Sequence, residues 1–81
     1  MIITNDTIQF KTIDRLFEKE KSGIKNNSVR KITGNEWIIF VENLRFLKVI
    51  KITTVDLCDC FEREIRDISI LDDLVIFTWN Q

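Results

Sequence analysis

The amino-acid sequence predicts one small α+β domain, mainly β, with about five or six strands and a single short helix near its N-terminus. Three observations carry that expectation. Several segments alternate polar and apolar residues with period two, one segment repeats its apolar residues at i, i+3 and i+4, and the turns between segments are short. Eighty-one residues are too few for two independent cores, so residues 1–81 read as one domain. At 44% hydrophobic and 31% charged, the composition is that of an ordinary globular chain rather than a disordered one. A core of this size rarely supplies more than about 3–5 kcal/mol, which leaves room for either a monomer or a homodimer that covers apolar surface.

Taken in order, Thr7-Ile8-Gln9-Phe10-Lys11 alternates as a half-buried strand does. Ile13, Leu16 and Phe17 then form a helical stripe, with Asp14, Arg15, Glu18, Lys19, Glu20 and Lys21 assigned to the wet side. Thr12 is placed to cap this helix and Gly23 to end it in a left-handed turn. A loop over 24–27 leads into a strand, Ser28 to Ile32, and Thr33-Gly34-Asn35 reads as a turn. The apolar run Trp37 to Val41 reads as a strand covered on both faces, Glu42-Asn43 as a hairpin turn, and Arg45 to Thr54 as the returning strand. Residues 57–66 fit either period: Phe61, Ile65 and Ile68 make a helical stripe, while Cys58, Cys60 and their β-branched neighbours favour a strand, the reading preferred. Asp72-Asp73 turns the chain into a last strand, Leu74 to Trp79. Short connections between so many strands favour a small antiparallel or mixed barrel, with the helix across one end.

Several classes of function are set aside by composition. No apolar run approaches the roughly 20 residues that cross a bilayer, and the N-terminal residues lack the basic and apolar regions of a secretory signal, so the expected location is the cytosol. Cys58 and Cys60 stand too close for an unstrained disulfide and are expected as free thiols, half-buried on one strand face. With no histidine in the chain, no metal site is expected, and no cofactor either. The net charge of −1 is uneven: residues 1–51 carry ten of twelve basic and six of thirteen acidic groups, net +4, which leaves −5 for the remainder. A basic face opposite an acidic one is the simplest arrangement.

One stretch gathers polar chemistry. Ser22-Gly23-Ile24-Lys25-Asn26-Asn27-Ser28-Val29-Arg30 places an amine, two amides, a hydroxyl and a guanidinium between a helix end and a strand. Ser28 and Arg30, two apart on a strand, face the same way. Such groups, with backbone N–H freed at the glycine, can receive a phosphate or a carbonyl oxygen. The plainer reading is a solvated loop whose asparagines bond their own backbone.

The same residues resemble a known family. The Ile8-x-Phe10 strand, the helix with its paired aromatic and aliphatic residues, and the run Ser22-Gly23-x-Lys25-x-x-Ser28-x-Arg30 resemble the start of the ASCH domain, a small PUA-like β-barrel. Thr33-Gly34-Asn35 resembles that family's Gly-Asp turn before a strand, and Asp73 to Trp79 its closing strand. The chain is also similar to short phage and prophage proteins of low-GC bacteria that share the Phe17-Glu18-Lys19-Glu20-Lys21-Ser22-Gly23 helix and the Asn27-x-Val29-Arg30 strand. The resemblance implies a cleft between helix and barrel that receives RNA, a nucleoside or a nucleotide through Lys25, Asn27, Ser28 and Arg30. In the family's acetylcytidine amidohydrolases a Lys, a Thr and a distant Glu act together; Lys25 and Ser28 match the first two, and Glu62 or Glu64 lies in the right part of the chain for the third. Asn27 and Ser28 depart from the family's β-branched spelling, and this chain is shorter.

Two other readings stay open. Trp37, Trp79 and six phenylalanines offer either a stacking platform for bases or a core. Lys48 and Lys51 could track a phosphate backbone or simply mark a solvated edge, and Glu62-Arg63-Glu64 with Arg66-Asp67 reads as exposed charge pairs. An acidic C-terminal half also suits a phage protein that binds and inhibits a host protein by imitating nucleic acid.

Overall fold

The computed structural model describes residues 1–80, among which the chain forms six strands and two α-helices. The strands are β1 (Ile2–Thr4), β2 (Thr7–Thr12), β3 (Asn27–Lys31), β4 (Val49–Thr54), β5 (Cys60–Leu71) and β6 (Leu74–Trp79). The helices are α1 (Asp14–Ser22) and α2 (Gly34–Asn43), the latter running into a 3-10 turn at Leu44–Phe46. One sheet contains all six strands in the order β1-β2-β4-β5-β6-β3.

The topology follows from what each connection can do. β1 and β2 form a tight hairpin through Asn5, whose φ of 56° lies in the left-handed region that asparagine tolerates. β2 and β4 are parallel, so they need a crossover rather than a turn; α1, β3 and α2 supply it. β5 is long because it serves two partners. Its Cys60–Glu64 half pairs with β4 and its Ile65–Leu71 half with β6, and an irregularity between Ile65 and Asp67 bends the strand where it changes neighbour.

The inward residues of these strands meet α1 and α2 in one core. Ile8, Phe17, Phe40, Ile50, Ile52, Val75, Phe77 and Trp79 are all fully buried. Phe77 packs against Phe10 at 5.4 Å and Phe40 at 6.1 Å between ring centroids, and Phe61 joins Phe17 at 5.3 Å to Trp79 at 6.2 Å. Each such ring contributes roughly 1.5–3 kcal/mol through burial alone. The aromatics are therefore mostly core rather than a stacking platform, with Phe46 half exposed.

Four expectations are corrected. Residues 34–43 are helical, not a turn followed by a strand: a run of five apolar residues has no period of its own, and Trp37 and Phe40, three apart, face inward together at 5.7 Å. Glu42-Asn43 accordingly ends a helix, where the Asn43 amide donates to the Ile39 carbonyl at 2.8 Å, and β4 starts at Val49 instead of Arg45. Helix α1 does end at Gly23, with φ 88°, but its N-cap is Ile13; Thr12 closes β2 instead. Cys58 and Cys60 are free thiols but exposed, the first in the turn before β5 and the second at its start.

The fourth correction decides the shape. The sheet does not close into a barrel, because no backbone pairing joins β3 to β2 among the described residues. Of residues 57–66, those from Cys60 on lie in a strand, as preferred, while 57–59 belong to the turn before it, and β5 still leaves the seam open. β3 and β2 nevertheless face one another across a gap that a single side chain, Arg30, spans: its guanidinium donates to the Lys11 carbonyl at 2.8 Å and to the Thr12 hydroxyl. No helix is long and apolar enough to cross a membrane among the described residues.

Candidate functional site

The left-handed turn at Gly23 folds the chain back over the last turn of α1. The Gly23 N–H donates to the Glu20 carbonyl at 3.4 Å, and the Lys25 N–H to the Lys19 carbonyl at 3.0 Å. Both bonds satisfy carbonyls that a helix end would otherwise leave unpaired. The chain then enters β3, whose alternation turns Ser28 and Arg30 toward α1 while Val29 and Lys31 point to solvent. The Lys25 ammonium donates to the backbone carbonyl of Asn27, so that residue contributes its carbonyl to the arrangement.

Arg30 is the hub. Its Nε donates to the Ser28 hydroxyl at 2.8 Å, its terminal nitrogens reach Lys11 and Thr12, and its guanidinium lies 4.9 Å from the centre of the Phe10 ring. A planar fork of donors suits this role where a lysine would not. Burial depresses the Arg30 pKa and the neighbouring Glu20 charge opposes that fall.

Glu20 is the residue that sequence reasoning missed. Assigned to the wet face of α1, it is only 1% exposed, three residues from Phe17 on the face that meets the sheet. Its Oε1 stands 3.8 Å from the Lys25 amine and makes no hydrogen bond. Loss of hydration raises the Glu20 pKa above the usual carboxylate value, against the charges of Lys25 and Arg30 and the Ser28 hydroxyl, which pull it down. Ile13 and Leu16, two of the three residues of the predicted helical stripe, are not core; with Lys11, Thr12, Val29 and the polar cluster they line an open groove of about 390 Å³ between α1 and the seam.

Lys25, Ser28 and Arg30 thus converge on one concave wall with a buried carboxylate beside them. Comparison with family models, curated proteins and solved structures yields no match to this chain. The groove's meaning rests on its own chemistry.

Glu62 and Glu64 do not take part in this groove. Both are exposed on the face of β5 opposite the buried Phe61, and Glu62 sits opposite Lys51, lining a separate shallow groove of about 300 Å³ with Thr4, Asp6 and Gln9. A signal for Glu20 was present in the sequence as its i+3 relation to Phe17, but a glutamate in a run of charges reads as solvated unless the residues across from it are known. Groups of three or more side chains able to hold a metal ion are absent among the described residues.

Proposed function

We propose that this chain is a small ASCH-like module that binds RNA or a nucleoside or nucleotide in the groove between α1, β2 and β3. The observation that carries the reading is the meeting of Lys25, Ser28 and Arg30 on one wall, with Ile13, Leu16 and Val29 supplying an apolar surface for a base. Cationic donors at the seam receive a phosphate or a carbonyl oxygen. The buried Glu20 carboxylate supplies a counter-charge behind Lys25 and Arg30.

Hydrolysis of an acetylated cytidine is the second reading, favoured by the approach of an amine, a hydroxyl and a carboxylate, with Glu20 in the place expected of Glu62 or Glu64. The hydrogen bonds weigh against it. Lys25 is engaged with the Asn27 carbonyl and Glu20, and the Ser28 hydroxyl accepts from Arg30 rather than standing against the Lys25 amine. Nucleophile activation requires the hydroxyl within reach of its base.

Fluorescence anisotropy with a labelled single-stranded RNA of mixed sequence, and calorimetry with the four ribonucleosides, test the reading. Lys25→Ala combined with Arg30→Lys weakens binding at least tenfold at constant salt while the far-UV spectrum is retained. Unchanged affinity removes the site. Acetate release from acetylcytidine that stops with Ser28→Ala would instead select the hydrolytic reading.

A further inference from the structure

The seam has the attributes of a place for one more strand. At the two ends of the β3–β6 pair the Trp79 N–H donates to the Asn26 carbonyl at 3.0 Å and the Ile32 N–H to the Asp73 carbonyl at 2.9 Å. With the register Asn27↔Thr78 through Lys31↔Leu74, these bonds put the hydrogen-bonded pairs at Ser28 and Arg30. The peptide groups of Asn27, Val29 and Lys31 therefore point away from β6, into the seam.

The opposite wall is built the same way. The Asp6 carbonyl accepts from the Val49 N–H at 3.1 Å, and with the parallel register Thr7↔Val49 through Thr12↔Thr54 this turns the even-numbered peptide groups of β2 to β4 and the odd-numbered ones outward. β1 covers only Thr7 to Gln9. Beyond it Lys11 presents its backbone to the seam, where Arg30 takes the carbonyl. Adjacent strands lie about 4.8 Å apart; here a whole arginine side chain is needed to cross. β2 and β3 also run in opposite directions, so a strand laid between them is antiparallel to one wall and parallel to the other.

We propose that the part of the seam on the Met1 side of Arg30 is a β-addition site for an extended, acidic peptide segment of a partner protein. That stretch is a groove of about 630 Å³ lined by Met1, Gln9, Phe10, Lys11, Val29 and Lys31, among others. Its charge selects the partner. Lys11, Arg30 and Lys31 face the groove, whereas its carboxylate, Glu36, is tied to the N-terminal ammonium at 3.3 Å and the Asp73 partner of Lys31 is an exposed contact at 3.6 Å. Arg30 holds the Lys11 carbonyl, but the Lys11 N–H and the N–H and C=O of Val29 and Lys31 are turned to this stretch and complement another peptide backbone; a phosphate chain finds the Val29 and Lys31 carbonyl oxygens there, which repel it. This site adjoins the α1 groove, and Lys11, Val29 and Arg30 border both.

The test uses the full isotope-labelled chain and two capped heptapeptides, one alternating Glu and Val, the other Lys and Val. With 1 mM acidic peptide, amide hydrogen exchange at Lys11, Val29 and Lys31 slows at least tenfold, while β4 and β5 amides are unaffected. Val29→Pro deletes an N–H that points away from β6 and has no backbone partner among the described residues, so the thermal midpoint is kept and the protection is lost. Lys11→Glu with Lys31→Glu transfers the preference to the lysine peptide; if Val29→Pro does not fold, this variant decides. The proposal is overturned by no slowing with the acidic peptide, by equal slowing with the lysine peptide, or by slowing with oligouridylate instead. Amides already protected in a free chain of dimeric mass would overturn it too, since a second copy would then hold the seam.

Discussion

Along β4, β5 and β6 every strand has a hydrogen-bonded neighbour on both sides, whereas β2 and β3 confront each other across a gap bridged by an arginine. In the first region the backbone groups are satisfied by ladders and the side chains are free to pack; Phe61 of β5 and Phe77 and Trp79 of β6 are buried there, and Phe77 carries the cluster on to Phe40 of α2 and Phe10 of β2. In the second, side chains take over what ladders would do. Lys25 satisfies the Asn27 carbonyl and Arg30 the Lys11 carbonyl, so the charged groups of the site are held in place by the same orphan acceptors that an unfinished sheet creates. The difference teaches that packing is concentrated in the first region and unpaired backbone in the second, and that the incomplete sheet is what positions the charges.

The sharpest way to break this division is to remove packing from the closed side. Phe77→Ala deletes a fully buried ring in contact with two others and lowers unfolding free energy by about 3–5 kcal/mol, enough to unfold much of a domain this small. Urea denaturation reads the loss; a cost under 1 kcal/mol would mean that the aromatic cluster is not the core. On the open side, Arg30→Met removes three donors while keeping a long apolar stem over Phe10. Loss of charge-assisted bonds costs about 1.5–3 kcal/mol, less than Phe77→Ala, and ligand binding disappears. Equal costs for the two variants would abolish the distinction between the regions.

A smaller effect comes from Glu20. Its folded-state pKa is raised, so the native state holds a proton that the unfolded chain releases, and stability falls as pH rises from the ordinary carboxylate value through the raised one. The slope cannot exceed that of one proton, about 1.4 kcal/mol per pH unit. Glu20→Gln flattens this segment of the stability profile, measured by thermal melts across acidic to neutral pH; an unchanged profile would place the titration elsewhere. Smallest of all, Cys58→Ser and Cys60→Ser lie on exposed positions and shift stability by no more than about 0.5 kcal/mol.

The same contrast decides what was legible in the sequence. Period-two alternation located β2 and β3 because each has one wet and one dry face, and it predicted that Ser28 and Arg30 share a side; β6 was marked by the Asp72-Asp73 turn and its apolar run. Helix α1 announced itself through Gly23 and its charged face. Helix α2 did not, because Trp37 to Val41 is apolar at every position while only Phe40 is buried and Ile38, Ile39 and Val41 are exposed. β1, three residues long, is too short to show a period. Within the site, the spacing of Lys25, Ser28 and Arg30 was visible, but the burial of Glu20 and the open seam depend on strands distant in sequence. Neither local pattern nor propensity encodes which two edges of a sheet end up opposite one another.

The account is tested most directly by a heteronuclear NMR titration of the labelled chain with a single-stranded RNA of mixed sequence. It predicts saturable shifts at Lys25, Ser28, Arg30 and Leu16, with the guanidinium resonance of Arg30 moving furthest and the amides of β4 staying in place. Shifts confined to Lys48 and Lys51, or none at millimolar RNA, would contradict it.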